Sequence, residues 1–360
     1  MQAIPSNRRG LRYLPQADTS TAPDRPRRTL CRGLGTALFA PWLAGCATPV
    51  RDVVDAPADA SGYAFGEPDF VAPPPGTQRR VALVLSGGAA RGFAHLGMLR
   101  VLEREGLRPD LVVGTSAGAI VGAMFASGMS VAQIETAAEQ LDWTTLFDVD
   151  PLRIVLGSAG LIGSRLGLVP GMRLEQFLRA HLRTPIERFP TAFAAVAADM
   201  QNGDVVPLNH GDAARALRAS SAVPGVFEPV RSRGRLLADG QIVSPLPVQT
   251  ARRLGALRVL ALDVVYPPEH AAMSNPVSML FQSLVVSGWR HVLAERALAD
   301  LVITPDIRTS SQLGLGSRDW LIEAGVRAAS AQLVAIRKLF TEPPNPQAAV
   351  APRQPIFGPV

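Results

Sequence analysis

Residues 112–122, VVGTSAGAIVG, set a serine between two glycines where an apolar run gives way to small residues. Before it, DLVVG (110–114) has the length and continuous apolarity of a strand covered on both faces. After it, AGAIVGAMFASG (117–128) predicts a small-residue helix able to pack closely under a sheet. Gly114-Thr-Ser116-Ala-Gly118 therefore has the spacing and surroundings of a nucleophile elbow, a turn too sharp for a side chain on either flank. A hydroxyl there stands at a helix N-terminus, where the dipole and unpaired amides favour developing negative charge. The same pattern also serves as a purely structural turn.

Just upstream the arrangement recurs. VALVLS (81–86) predicts a buried strand, and FAHLGMLRVLEREG (93–106) a helix with Phe93, Leu96, Leu99 and Leu102 on its apolar side and Gly106 as its stop. Two strand-then-helix units within fifty residues predict an α/β fold, with a mainly parallel sheet covered by helices on both faces. Further strands are expected at 192–200, 235–239 and 257–265. Helices are expected at 131–141, 172–182, 212–219, 246–254, 277–299 and 317–339, and an irregular apolar stretch, 143–171, suits a cap over a site.

The loop joining the first pair, SGGAARG (86–92), closes its strand with consecutive small residues, leaving the amides of Gly87, Gly88 and Ala89 to face an anion. It suits an oxyanion hole better than a dinucleotide loop. The third glycine is absent at Ala89, and no acid ends the next strand to hold a ribose.

A nucleophilic serine needs a base. None of the five histidines (His95, His181, His210, His270, His291) lies in a segment that marks a catalytic loop, although His95 follows the glycine loop by one turn. Asp239 ends the strand pattern RLLAD and precedes a glycine, at the strand end where parallel sheets bind ligands. Its alternative role is to cap the following turn.

The chain has 360 residues, 47% of them hydrophobic, enough for one large domain or two small ones with a substantial buried core. Its formal charge of +6 is concentrated in residues 1–45, which hold seven arginines and two acids. The remaining 29 basic and 28 acidic residues nearly cancel, which excludes a basic field for nucleic acid. Residues 1–45 read as an export signal: RPRRTLCR, then apolar and small residues, then LAGC (43–46). LAGC resembles a bacterial lipobox, which implies a lipidated Cys46 and a periplasm-facing protein anchored in an envelope membrane. Residues 46–78 read as a flexible tether, 79–340 as the folded domain and 341–360 as a disordered Pro-rich tail. No metal-ligand cluster is visible, and no cofactor is expected.

Taken in order, LSGGAARG, AHLGMLRVLEREG, GTSAG, IERFPTAFAAVAADMQNGD, ALRASSAVPGVFEPV and ADGQIVSPLPV resemble the patatin-like phospholipase family from about Val81 to Val265. The resemblance implies a three-layer sandwich and a Ser-Asp dyad without histidine. Ser116 would attack an acyl ester of a phospholipid or other lipid, with Asp239 as base and Gly87, Gly88, Ala89, Arg91 and Gly92 forming the oxyanion loop. Gly114 and Gly118 would frame the elbow, and Gly240 and Gln241 the turn after the base. Ala89 and Gln241 depart from the family's glycine loop and its D-G-G or D-G-A signature. These departures motivate a lipid-binding or regulatory alternative. An α/β-hydrolase triad completed by His270 or His291 is the other competing enzyme. The segment 275–295 offers Met279, Leu280, Phe281, Leu284 and Val285 as an acyl-facing, membrane-facing or core surface.

Overall fold

The computed structural model describes residues 65–141, 166–268, 276–307 and 317–343. The export signal, Cys46, the first part of the tether, most of the expected cap, His270 and the tail beyond residue 343 lie outside these residues.

The first strand, β1 (Arg79–Leu85), explains the layering. Val81, Leu83 and Leu85 face one apolar cluster and Ala82 and Val84 another, both shielded from solvent. Because strand side chains alternate, a continuous apolar run is stable only when both faces are covered. Each fully buried Leu contributes about 1.5–3 kcal/mol relative to exposure.

The following elements supply that cover in chain order. They are α1 (Phe93–Arg104), β2 (Leu111–Thr115), α2 (Ala117–Ala126), α3 (Val131–Glu139), β3 (Gly167–Val169), α4 (Met172–His181), β4 (Ala192–Asp199), β5 (Val205–Leu208) and α5 (Ala213–Ser220). After them come β6 (Gly225–Phe227), β7 (Val230–Ser232), β8 (Arg235–Asp239), α6 (Val248–Arg253), β9 (Ala256–Leu262), α7 (Pro276–Arg296), β10 (Leu301–Ile303), α8 (Arg318–Ala331) and α9 (Leu333–Thr341). Side chains of α1 to α5, α8 and α9 pack on the Leu83 face, and α6 on the Ala82 face. The fold is thus the expected α/β sandwich, with helices on both sides of the sheet.

The sheet order is β10-β9-β1-β2-β4-β8-β7, with β5 also paired to β4. From β10 to β4 the neighbours are parallel, whereas β5, β7 and β8 join antiparallel. On β4, Ala195 pairs with Gly114 and Leu208, and Ala197 with Asp239 and Val206. Strands β2 and β8 consequently share one edge of β4 and meet there end to end.

Three expectations need correction. The predicted helix over 317–339 is two helices, α8 and α9, divided at Gln332. Ile336 and Phe340 of α9 are buried in the core, and the Arg258 guanidinium holds the carbonyl of Leu339 at 2.5 Å, so tertiary packing redirects a run that local propensity would continue. The second part of the expected tether is bonded to the domain: the Asp69 amide donates to the His210 carbonyl at 3.1 Å and the Val71 amide to Asn209 Oδ1 at 2.8 Å. Residue 341 ends α9 rather than beginning a tail.

Candidate active site

Strand β2 delivers the chain into the elbow at Ser116, whose φ of 53° and ψ of −124° are rarely adopted by a residue with a side chain. Such a conformation costs on the order of 1–3 kcal/mol and persists only where its surroundings over-determine it. Those surroundings are specific. A Cβ on Gly114 would lie 2.5 Å from the Gly118 carbonyl oxygen, and one on Gly118 would lie 2.5 Å from the carbonyl oxygens of Leu85 and Ser86. Both flanks must therefore be glycine because backbone occupies the space. The Ser116 amide donates to Ser220 Oγ at 3.0 Å, and Ser220 donates onward to the Val196 carbonyl at 2.6 Å. Ser220, on the last turn of α5, is a support that the sequence did not single out.

Strand β8 arrives from the opposite direction and ends at Asp239, opposite Ala197, while Thr115 lies opposite the preceding Val196. That register brings the two side chains together, and the Ser116 hydroxyl donates to Asp239 Oδ2 at 2.8 Å. The other oxygen, Oδ1, accepts from the Gln241 amide at 2.8 Å. One oxygen thus caps the turn and the other faces the serine. Asp239 is 2% exposed. Burial pushes its carboxyl up to about 7, against the opposing pull of the two hydrogen bonds.

The glycine loop follows β1 and enters a turn of 3-10 helix, Ala89–Gly92. Gly88, Ala89 and Arg91 line a cavity of about 40 Å3 together with Ser116, Asp239 and Gln241, and its apolar wall includes Leu284 and Val285 of α7. The amides of Gly88 and Ala89 have no partner among the described residues, but that of Gly87 does. It donates to the Pro245 carbonyl at 2.9 Å, which corrects the expectation that all three face an anion. Gly87 instead makes room. A Cβ there would lie 2.1 Å from Gln241 Oε1 and 3.5 Å from Ser116 Cβ. Gly92 likewise permits contact, since a Cβ there would lie 2.7 Å from that of Ala117 at the start of α2. Arg91 is nearly buried, with its guanidinium 5.4 Å from the ring centre of Tyr266. Gln241 extends its side-chain amide toward Gly87, and its buried Oε1 has no hydrogen-bond partner among the described residues. Gly240 packs 2.4 Å, measured from its Cβ position, against the Val196 carbonyl oxygen, so the turn after Asp239 also requires glycine.

The described histidines stand elsewhere. His95 is fully buried, with Nε2 2.9 Å from the Ser86 carbonyl oxygen, and burial lowers its pKa to about 4, so it is a neutral packing group. His181 lies against Phe177, His210 beside Asn209, and His291 half-buried on α7. Among the described residues no group of three or more His, Cys, Asp or Glu is placed to hold a metal ion.

Residues 83–252 match the patatin-like phospholipase family. An uncharacterised NTE family protein of Mycobacterium tuberculosis is 35% identical over 189 residues, covering 51% of this chain and 49% of that protein. Patatin-like phospholipase domain-containing protein 7 of Rattus norvegicus is 34% identical over 199 residues, covering 52% of this chain and 14% of that protein. The chain spans about half the length of the mycobacterial relatives that it matches. Among solved structures, VipD of Legionella pneumophila is 16% identical with a TM-score of 0.43, covering 79% of this chain and 73% of that one. Residues 83–252, which contain the elbow, the glycine loop and Asp239, are thus a patatin-like phospholipase domain within this chain.

Proposed function

We propose that this protein is a serine hydrolase of lipid acyl esters, acting through Ser116 and Asp239 and tethered by a lipidated Cys46 to the periplasmic side of a bacterial envelope membrane. The observation that carries the reading is the 2.8 Å hydrogen bond from the strained Ser116 to the buried Asp239. The kind of substrate follows from the family and from similarity to a lysophospholipase of Lodderomyces elongisporus, 29% identical over 51% of this chain. The tether rests on the LAGC sequence.

In the reaction, Ser116 Oγ attacks the ester carbonyl carbon as its proton passes to Asp239 Oδ2. The carbonyl oxygen gains the negative charge and is stabilised by the amides of Gly88 and Ala89, at the start of the 3-10 turn. Collapse expels the alcohol, which takes the proton from Asp239 and leaves an acyl-Ser116 ester. Water then attacks that ester, with Asp239 again accepting the proton, and collapse releases the fatty acid as that proton returns to Ser116 Oγ. A carboxyl near 7 is matched to this work at neutral pH, because a group ionised at pH 4 would be a feeble base.

The test is fluorophosphonate labelling of the parent, Ser116→Ala and Asp239→Asn, followed by fatty-acid release from phospholipid and lysophospholipid vesicles. Labelling of the parent alone supports the assignment. A folded parent that is not labelled points to the lipid-binding alternative, which is favoured by the Gln241 amide occupying space beside the dyad.

A further inference from the structure

The helix that walls the Ser116 cavity has a second side. On its inner side, Leu284 and Val285 line the cavity, and Leu280 and Leu284 pack against Val223, Val226 and Phe227. On its outer side, Met279, Val286 and Leu293 recur every seven residues and are 55%, 54% and 49% exposed. Seven residues are nearly two helical turns, so the three side chains form one stripe along the 21-residue helix. Ser283, Ser287 and Arg290 fill the exposed face between them.

The charge along α7 is one-sided. Its sole carboxylate, Glu295, is buried and accepts from the Gln249 amide at 2.6 Å, at the start of α6. The outward face therefore carries three large apolar groups and a cation, with no acid to repel an anionic surface. None of the three belongs to the apolar clusters of the core among the described residues.

We propose that the outward face of α7 is a docking surface for an anionic lipid bilayer. Met279, Val286 and Leu293 enter the interface and Arg290 pairs with headgroup phosphates. The cavity gives this face its place in the molecule. At about 40 Å3 it holds a few waters, whereas sites for drug-sized ligands span roughly 300–1,000 Å3. Room for a lipid acyl chain beside Ser116 requires lining side chains to move, and Leu284 and Val285 are two of them. The surface that meets the bilayer and one wall of the Ser116 cavity are then two sides of one helix.

The docking step is separable from the hydrolysis proposed above, so its test uses the full chain carrying Ser116→Ala. Cys31→Ser and Cys46→Ser remove the other thiols and any acyl anchor. A polarity-sensitive nitrobenzoxadiazole dye is placed at Val286→Cys and, as a comparison, at Val334→Cys on α9, a site that is 82% exposed. With phosphatidylglycerol vesicles, emission at position 286 shifts to the blue while that at 334 stays unchanged. Arg290→Glu weakens vesicle binding by roughly tenfold or more at low salt. Thermal melts of the labelled proteins match that of the unlabelled chain, because the changed groups project outward.

No shift at 286, or an equal shift at 334, overturns the proposal. An equal shift with phosphatidylcholine vesicles overturns its anionic character. A shift that grows with protein concentration in the absence of vesicles assigns the face to a second copy of the chain instead. All these readings are independent of ester cleavage, so an inactive protein that docks and an active one that does not are told apart.

Discussion

Ser116 and Asp239 stand at the facing ends of two strands that run in opposite directions along one edge of β4, with hydroxyl and carboxylate 2.8 Å apart. They are 123 positions apart in sequence and the sheet spans that separation, so pairing register, rather than a flexible loop, sets their distance. Asp239→Asn keeps the shape and removes the base. In the proposed reaction it lowers turnover by about 10²- to 10⁴-fold while the melt stays cooperative, and Ser116→Ala abolishes fluorophosphonate labelling. Labelling of Asp239→Asn at the parent's rate would sink the assignment of Asp239.

Burial of Asp239 makes that reaction pH-dependent. Its carboxylate form is the base, and its pKa is near 7, so labelling of the parent rises from pH 5 to 8 with a midpoint near 7. An unshifted aspartate would give a flat profile over that range. Stability moves the other way. Between about pH 4 and 7 the folded state holds a proton on Asp239 that the unfolded state has lost, so this group's contribution falls as pH rises. Asp239→Asn therefore melts higher than the parent at pH 8, and the gap closes toward pH 4. A gap independent of pH would show that the carboxyl is not perturbed.

The elbow and the strand-end aspartate were legible because each is a local pattern: glycines flanking a serine after an apolar run, and an acid closing RLLAD. What escaped depends on partners distant in the chain. The amide of Gly87 is taken by the Pro245 carbonyl, and Ser220 supports the Ser116 amide; neither fact has a local signature. Short strands such as β3, β6 and β7 are three residues each and carry no usable period. Asp69 belongs to the domain because it bonds to His210, whereas its own neighbourhood is rich in proline and glycine.

Gly87 and Gln241 are coupled. A methyl at 87 falls 2.1 Å from Gln241 Oε1, and the displaced amide has the Ser116 cavity to enter. Gly87→Ala is expected to slow labelling by up to about 100-fold, the scale of a 1 Å misplacement in an active site. Gln241→Ala alone has a small effect, and in the double variant it restores most of the loss. Additive effects in this cycle would break the steric link.

A histidine-independent reaction also predicts what leaves activity intact. His95 is buried and neutral, and among the described residues no histidine lines the cavity. The His270→Ala, His291→Ala double variant is expected to label within about twofold of the parent, since neither side chain is needed as a base. A loss of several hundredfold would instead support the Ser-Asp-His triad.

Arg296, on the last turn of α7, holds that helix to the sheet. Its Nε donates to Asp263 Oδ2 at 2.5 Å, beyond the end of β9, and Asp263 is wholly buried. Burial raises the Asp263 carboxyl above the usual range even with the guanidinium opposing it. Arg296→Ala leaves that carboxylate without its counter-charge, and breaking a buried pair in this way costs about 3–5 kcal/mol. Removing the cation raises the folded-state pKa further, so the folded protein retains the Asp263 proton to higher pH and the destabilisation shrinks as pH falls. Chemical denaturation of Arg296→Ala at pH 8 and pH 5 measures both effects, and Asp263→Asn in the same chain recovers most of the loss at pH 8. An equal loss at both pH values, with no recovery, would mean that Arg296 acts through its packing against Trp289, whose ring centre lies 5.4 Å from the guanidinium, rather than through its charge.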